Sequence, residues 1–314
     1  MATTSNSLTF KHISNATNEI ISYIDNRRKG TIRSLSTRWK KFNDNCMGGI
    51  EPNTIYTICG ISGSGKSAFV NSLESDLFDL NKDIDFIVLS FSLEMLSSKS
   101  VGRKLSYKLK KTTGELYTTN YPLSNKDYEK VIEEGEIIKT YPIFYVDTPG
   151  TVTEISNTIT KFREMYAKDK WLVIMFDHVL LAKAEGTEKE RETLINLQRL
   201  FIQERKIGKT TIIQLSQLNR EIEDKERIIN PSLHFPQRRD IAGSDSMFFA
   251  SDYLIVLHRP EILLIKSYGV NNWPVTNMIY MHFLKVRDGE PKILSFVNNL
   301  KYNSIEEYNN QINN

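Results

Sequence analysis

The chain is expected to fold as an α/β protein, with a mostly parallel sheet flanked by helices and antiparallel strands at its C-terminal end. Three observations predict this. Apolar runs of strand length, Thr54–Cys59, Phe86–Phe91, Ile143–Val146, Leu172–Phe176, Thr211–Leu215 and Tyr253–Leu257, alternate with helix-patterned stretches, the sequence form of parallel β-α-β units. The octapeptide GISGSGKS, Gly60 to Ser67, lies between the first run and a helical pattern, which is where a phosphate-binding loop belongs. After Leu257 the pattern changes, and Ile262–Lys266, Met278–Leu284 and Lys292–Val297 read as antiparallel strands joined by the polar turns Asn271-Asn272 and Asp288-Gly289.

In chain order, residues 1–9 are polar, and Ile13, Ile20, Ile21 and Ile24 mark a short helix over 13–26 that runs into the basic turn Asn26–Gly30. Periodicity alone leaves open whether its apolar face packs on its own domain or on a neighbouring copy. Behind the phosphate loop, Ala68–Leu80 places Phe69, Val70, Leu73, Leu77 and Phe78 at helical spacing, so its N-terminus faces the phosphates. Thr151 with Glu154 forms a capping box that opens a helix over 152–167. The stretch 187–206, with Leu194, Leu197, Leu200 and Phe201, reads as a further amphipathic helix. Three regions are assigned: a polar N-terminus and helix at 1–30, one large domain at 31–298, and a solvated, Asn- and Tyr-rich tail at 299–314.

Composition narrows the classes. A chain of 314 residues with 40% hydrophobic content can build a large core. Its 41 basic and 38 acidic side chains leave only +3, so any nucleic-acid binding must be argued from motifs and not from net charge. Cys46 and Cys59 cannot form a disulfide framework and are expected to be inert thiols. No apolar stretch reaches spanning length and no secretory pattern opens the sequence, so the cytoplasm is the expected location and no membrane partner is expected.

The chemistry-bearing residues fall at strand ends. In the loop, consecutive backbone N–H groups converge on phosphate, Lys66 supplies a point charge, and the Ser67 hydroxyl is placed for Mg2+, so ATP with Mg2+ is the expected ligand. Glu94 follows the run Phe86–Phe91 and is a candidate to orient water. Asp177 ends the apolar strand Leu172–Phe176 and is the second candidate on the metal side. His178 is given no chemistry. Gln217 follows Thr211–Leu215 at the same sheet edge, where it could sense the γ-phosphate. Lys285 and Arg287 project from one face of a strand end, which suits an anionic partner or an arginine finger.

Taken together, GISGSGKS, FSLEM at Phe91–Met95, the acid-ended strand at Asp177, LSQLNR at Leu215–Arg220 and KVRDG at Lys285–Gly289 closely resemble the RecA-like motor domain of DnaB-type replicative helicases. The likeness extends over about residues 10–298, including VDTPG at Val146–Gly150 and the acids Asp240 and Asp252 with Ser244 between them. It implies a RecA-like P-loop NTPase whose nucleotide set is Gly60, Ile61, Ser62, Gly63, Ser64, Gly65, Lys66, Ser67 and Ala68, with Arg103 added. Ser67 and Asp177 would hold the metal, Glu94 would activate water, and Gln217 would couple γ-phosphate state to DNA-facing loops. Lys285 and Arg287 would act in trans, so the implied assembly is a ring of identical copies, a hexamer, on single-stranded and forked DNA.

The same resemblance makes 13–26 a linker helix that docks on the adjacent motor domain. It implies DNA-facing segments at 182–190 and 220–239, the latter with Arg220, Lys225, Arg227, Arg238 and Arg239, and a primase or loader as a further partner. Where the family has Tyr-Leu-Gln after the metal-side acid, this chain has His178-Val179-Leu180. Ala242-Gly243 and Phe248-Phe249 replace Arg-Glu and Glu-Gln, and the family's N-terminal primase-contacting domain has no counterpart in these residues. The Asn- and Lys-rich style suggests a phage-encoded protein, whose cytoplasm would be the host's. Two other readings share the phosphate loop: a RecA-type recombinase or mediator, and an ATP-dependent assembly switch that unwinds nothing.

Overall fold

The computed structural model describes residues 9–243 and 245–308, which form two units meeting in sequence between Ser34 and Leu35. The first holds one helix, α1 (Ile13–Arg28), longer than the expected 13–26 because Arg28 and Lys29 pair with Asp25 in its last turn. No residue of α1 is buried, and Ile13, Ile20, Ile21 and Ile24 remain exposed. Ser244, one of the residues carrying the resemblance, lies outside the described residues.

The second unit runs α2 (Lys40–Asn45), β1 (Ile55–Cys59), α3 (Lys66–Leu80), β2 (Phe86–Ser92), α4 (Ser97–Leu109), α5 (Thr113–Tyr117), α6 (Asn125–Lys139), β3 (Ile143–Val146) and α7 (Val152–Tyr166). It continues with β4 (Trp171–Asp177), α8 (Glu190–Glu204), β5 (Thr210–Leu215), α9 (Lys225–Ile229), α10 (Asp245–Ala250), β6 (Tyr253–His258), β7 (Met278–Val286), β8 (Ile293–Asn299) and β9 (Ser304–Glu307). The described strands form one sheet in the order β3-β2-β4-β5-β1-β6-β7-β8-β9, parallel from β3 through β6 and antiparallel beyond. The expected fold class is the observed one. The central strands are buried along their whole length, as a sheet covered on both faces requires.

Each face has its own core. On one, Trp39 stacks on Phe69 at 4.6 Å between ring centroids, and α3 lies over β1, β2 and β7. On the other, α7 and α8 bring Ile155, Ile159, Leu197 and Phe201 against β2, β4 and β5. Thr151 and Glu154 make the anticipated capping box of α7, each satisfying the other's backbone N–H. A fully buried ion pair of Lys104 with Glu74 ties α4 to α3, and Ser90 of β2 donates to the same carboxylate at 2.9 Å.

Two expectations fail here. Ile262–Lys266 is not a strand: Pro260–Leu263 is a short 3-10 turn that Leu264 closes at φ 58°. Pro260 fixes φ and removes the donor a ladder would need, so that apolar run becomes a turn. The stretch after Asn298 is not a solvated tail up to residue 308. After a turn through Asn303 at φ 50°, a conformation Asn tolerates, β9 pairs with β8 and buries Ile305. Trp39 Nε1 donates to the Ile305 carbonyl at 3.0 Å, and Glu307 accepts from Lys41 N at 2.6 Å.

A third, smaller core gathers Ile265, Tyr268, Trp273, Met278 and Tyr280 under the connection between β6 and β7. Here His258 Nδ1 bonds the Tyr268 hydroxyl at 2.6 Å, and that hydroxyl bonds His282 Nε2 at 2.8 Å. Burial, reinforced by Arg227 and His234, pulls His258 down to about 3, while burial and His258 pull His282 well below its usual value. Both imidazoles are therefore neutral in the folded chain at pH values where the unfolded chain protonates them. Their contribution is intact above the unfolded value of 6.5 and is lost progressively as pH falls toward about 3. Urea unfolding at about pH 7 and about pH 5 is expected to show a loss of up to about 1.4 kcal/mol per pH unit for each histidine. A His282→Asn variant should show a flatter dependence than the unaltered chain.

Candidate nucleotide site and the opposite cation edge

The parallel strands β2, β4, β5 and β1 end on one edge of the sheet. Registers pair Ser92 with Asp177, Phe176 with Gln214, and Leu215 with Ile58, so Glu94, Asp177, Gln217 and the loop after Cys59 emerge side by side, where open α/β sheets bind ligands. The loop turns through Gly63 at φ 76° and Gly65 at φ 102°, conformations open to Gly and strained for other residues. A Cβ on Gly60 would stand 2.7 Å from the Leu257 carbonyl oxygen, so the loop is pressed against the end of β6.

Ser64 Oγ is buried without a hydrogen bond, and Lys66 Nζ is folded back onto the carbonyls of Gly60 and Ile61 at 2.6 and 3.0 Å. Burial lowers the Lys66 pKa, while Cys59, Asp177 and Glu94 pull it the other way. Burial and then the charge of Glu94 push Asp177 up to about 6, opposed by Lys66 and Arg103. A desolvated carboxylate beside a second carboxylate is relieved by a divalent cation. Among the described residues no three His, Cys, Asp or Glu side chains gather into a metal cage. A magnesium ion held by one or two protein oxygens and completed by phosphate and water needs none. The half-buried Ser67 and Asp177 fit that arrangement.

Of the sequence candidates, the loop Gly60–Ala68, Glu94, Asp177 and Arg103 thus converge. Glu94 is exposed, and Arg103 on α4 acts electrostatically on Asp177. Gln217 is half-buried on the same edge; its carbonyl accepts from Ala242 N at 2.9 Å, tying it to the segment before α10. Cys59 is buried, and its thiol is pushed up to about 12, which makes it inert as expected.

Lys285 and Arg287 are elsewhere. At the end of β7 they lie beside Leu254 and Asp252, next to the start of β1. Five strand residues separate that point from the phosphate loop, roughly 16 Å at the strand rise. Lys285 Nζ donates to the Phe248 carbonyl at 2.6 Å and lies 5.1 Å from the Phe248 ring centroid. Arg238 lies over the same ring at 4.5 Å and pairs with Asp245. Arg238 therefore belongs spatially with Lys285, although the sequence reading grouped it with the DNA-facing cations.

One candidate is overturned by its surroundings. Arg227 is only 6% exposed; its guanidinium pairs with buried Asp240 and donates to the carbonyls of Leu233 and Phe235. It holds the segment 225–240 together and is not available to a phosphate backbone. Breaking a buried pair of this kind costs about 3–5 kcal/mol. The segment 220–239 is accordingly a folded set of short turns, with Phe235 stacked on Trp273 at 5.4 Å, and of its cations only Arg220, Lys225, Arg238 and Arg239 are exposed. In 182–190, Glu188 accepts from Thr193 at the start of α8.

Arg259 carries no assignment from the sequence, and Asp252 enters there only with the resemblance and without a role. Arg259 follows β6 on the loop's edge, its Nε buried without a partner and its other end paired with Glu261 at 3.2 Å. The rule that ligand groups follow strand C-termini would have found it. Asp252 sits at the opposite edge, and its position before a strand gives no such signal.

A profile of the DnaB-like helicase C terminal domain matches residues 11–307. The chain belongs to that family. Among solved structures, the DnaB-type fold recurs in one described as an ATPase domain, with TM-score 0.77 and 18% identity over 96% of this chain and all of that one. A DnaB-like replicative helicase, described with its interactions with primase, gives TM-score 0.76 and 18% identity over 96% of this chain and 68% of that one. No curated protein sequence matches. No described helix is long and apolar enough to cross a membrane.

Proposed function

We propose that this DnaB-type chain is an ATP-driven, ring-forming replicative helicase that translocates on single-stranded DNA and excludes the complementary strand at a fork. One observation carries the reading: the phosphate loop and the Lys285/Arg287 pair occupy opposite ends of β1, about 16 Å apart. The two cations cannot reach their own chain's loop. They can complete the loop of another copy placed head to tail, and such heterologous contacts form a ring when the rotation between copies closes and a filament when it does not. Lys66 and the loop N–H groups hold the phosphates, Ser67 and Asp177 hold Mg2+, and Glu94 orients the attacking water. Mg2+ supplies neutralisation of charge on the phosphate oxygens. Arg259, which follows β6 on the same sheet edge and is held by Glu261, is a further candidate contact to the nucleotide.

Gln217, bonded through its carbonyl to Ala242, links the γ-phosphate position to the segment that carries the exposed Arg239 and Arg220. With Lys225 these cations contact the phosphate backbone, with little reading of bases. The uncovered isoleucines of α1 suit docking on a neighbouring motor domain. A hexamer, a primase or loader partner, and action in the cytoplasm complete the reading.

The test is unwinding of a forked duplex by purified protein with ATP and Mg2+, with oligomer mass recorded in parallel. Strand displacement that requires a single-stranded tail, by a particle of hexamer mass, is expected. Turnover of ATP with no displacement would favour an assembly switch, and filaments that pair strands would favour a recombinase.

A further inference from the structure

Asp252 gathers three elements at the cation edge. Its side chain is 9% exposed, and each of its oxygens faces an arginine. Oδ1 lies 2.6 Å from Arg287 Nε in an ion pair, while Oδ2 accepts from Ile55 N at 2.9 Å and pairs with Arg205 at the end of α8. The backbone repeats the connection, since Arg287 N donates to the Asp252 carbonyl at 3.0 Å and Asp252 N donates to that of Ile55 at 2.9 Å. Arg287 is thus held by an ion pair at Nε and by the hydrogen bond of its own backbone, and its two terminal NH2 groups take no partner among the described residues. They border an open cavity of about 480 Å3 lined also by Asn53, Thr54, Lys206 and Asp288.

A guanidinium paired at Nε with a carboxylate leaves its two terminal NH2 groups free on the far side, the pair that can meet two phosphate oxygens at once. A single carboxylate shared by Arg205 and Arg287 cannot neutralise both, so the edge stays positive. A free arginine side chain would have to lose rotamer freedom at the moment of engagement, at a cost of up to about 2 kcal/mol. Here that ordering is already present in the lone protomer. We propose that Asp252 is the positioning residue of the trans arginine: it aims Arg287 at a second copy's nucleotide and anchors it to the first residue of the strand that ends in its own phosphate loop. This rests on the trans reading of Arg287 given above.

The experiment uses complementation in assembled rings, with DNA-stimulated ATPase as the readout. Asp252→Asn retains an oxygen for Ile55 N but presents an NH2 group to Arg287 Nε. Its kcat is expected to fall about 10²-fold, the usual cost of misplacing a reacting group, with the KM for ATP within about twofold, because its own cradle is untouched. The double variant with Arg287→Ala should be no slower than Arg287→Ala alone, since both remove one function. Mixed with Glu94→Gln, the Asp252→Asn chain should regain activity; mixed with Arg287→Ala, it should not.

Unchanged kcat for Asp252→Asn overturns the proposal, and so does rescue by Arg287→Ala, which would place the damage in the variant's own cradle. Rescue by neither partner overturns it as well, provided the control mixture of Arg287→Ala with Glu94→Gln is active. If that control mixture itself is dead, it is the trans reading that fails. Thermal unfolding of Asp252→Asn, expected to stay a single cooperative transition above the assay temperature, separates lost aim from lost fold.

Discussion

Lys66→Ala is expected to abolish ATP hydrolysis, lowering kcat/KM by at least 10²–10³-fold, the usual loss when one preorganised group leaves a developing charge. The expectation follows from where the ammonium sits. It is partly desolvated, drawn back onto the carbonyls of Gly60 and Ile61, and surrounded by Cys59, Asp177 and Glu94. Phosphate oxygens offer stronger acceptors than two carbonyls, so nucleotide entry should pull Lys66 outward and release the loop carbonyls. The alanine variant loses that attraction and leaves Asp177 with less opposing positive charge. Since Lys66 holds the Asp177 carboxyl down, its removal should push that group further above its present value of about 6 and weaken Mg2+ binding at acidic pH. Fluorescent nucleotide titration and phosphate release would check both parts. Wild-type affinity with wild-type turnover would remove the phosphate-site assignment, whereas an unfolded variant is not expected, because the hydrogen bonds Lys66 makes stay within the loop.

Much of this site was legible in the sequence because the groups that carry it lie at the ends of fully buried strands. An apolar run such as Leu172–Phe176 suits a buried strand, and the first polar residue after it marks the sheet edge. The same logic places Glu94 and Gln217, and Arg259 after β6 obeys it as well. Burial of charge was not legible. Arg227 stands among Glu226, Asp224 and Lys225, and reads as part of a solvated loop; only its partner thirteen residues on, Asp240, and two inward-facing carbonyls make it structural. Nor does sequence order show that Lys285 and Arg238, 47 residues apart, lie over one aromatic ring. β9 was missed because its strand character comes from what it meets, Trp39 and the α2 N–H groups, and not from its own polar composition.

The second large effect should appear only when two defective chains are combined. Arg287→Ala and Glu94→Gln are each expected to be nearly inactive as uniform rings, the first by as much as 10³–10⁵-fold if Arg287 behaves as a trans arginine finger. In a ring assembled from both, a seam is intact wherever the Glu94 of an Arg287→Ala chain meets the Arg287 of a Glu94→Gln chain. Random assembly of equal amounts makes about a quarter of the seams whole, because a head-to-tail interface takes one residue from each partner. Activity should therefore rise from near zero toward a quarter of the unaltered value, with the maximum at equal mixing. The geometry gives this experiment its force. Arg287 is held at the start of β1 and the loop at its end, so no rotation of a single arginine side chain spans the gap inside one protomer. Steady-state ATPase across a mixing series, with exchange of chains verified by mass, reads the result. A flat baseline at every ratio would mean that the cation edge faces something other than a neighbour's triphosphate. A rise confined to samples containing single-stranded DNA would place seam closure under the control of the track.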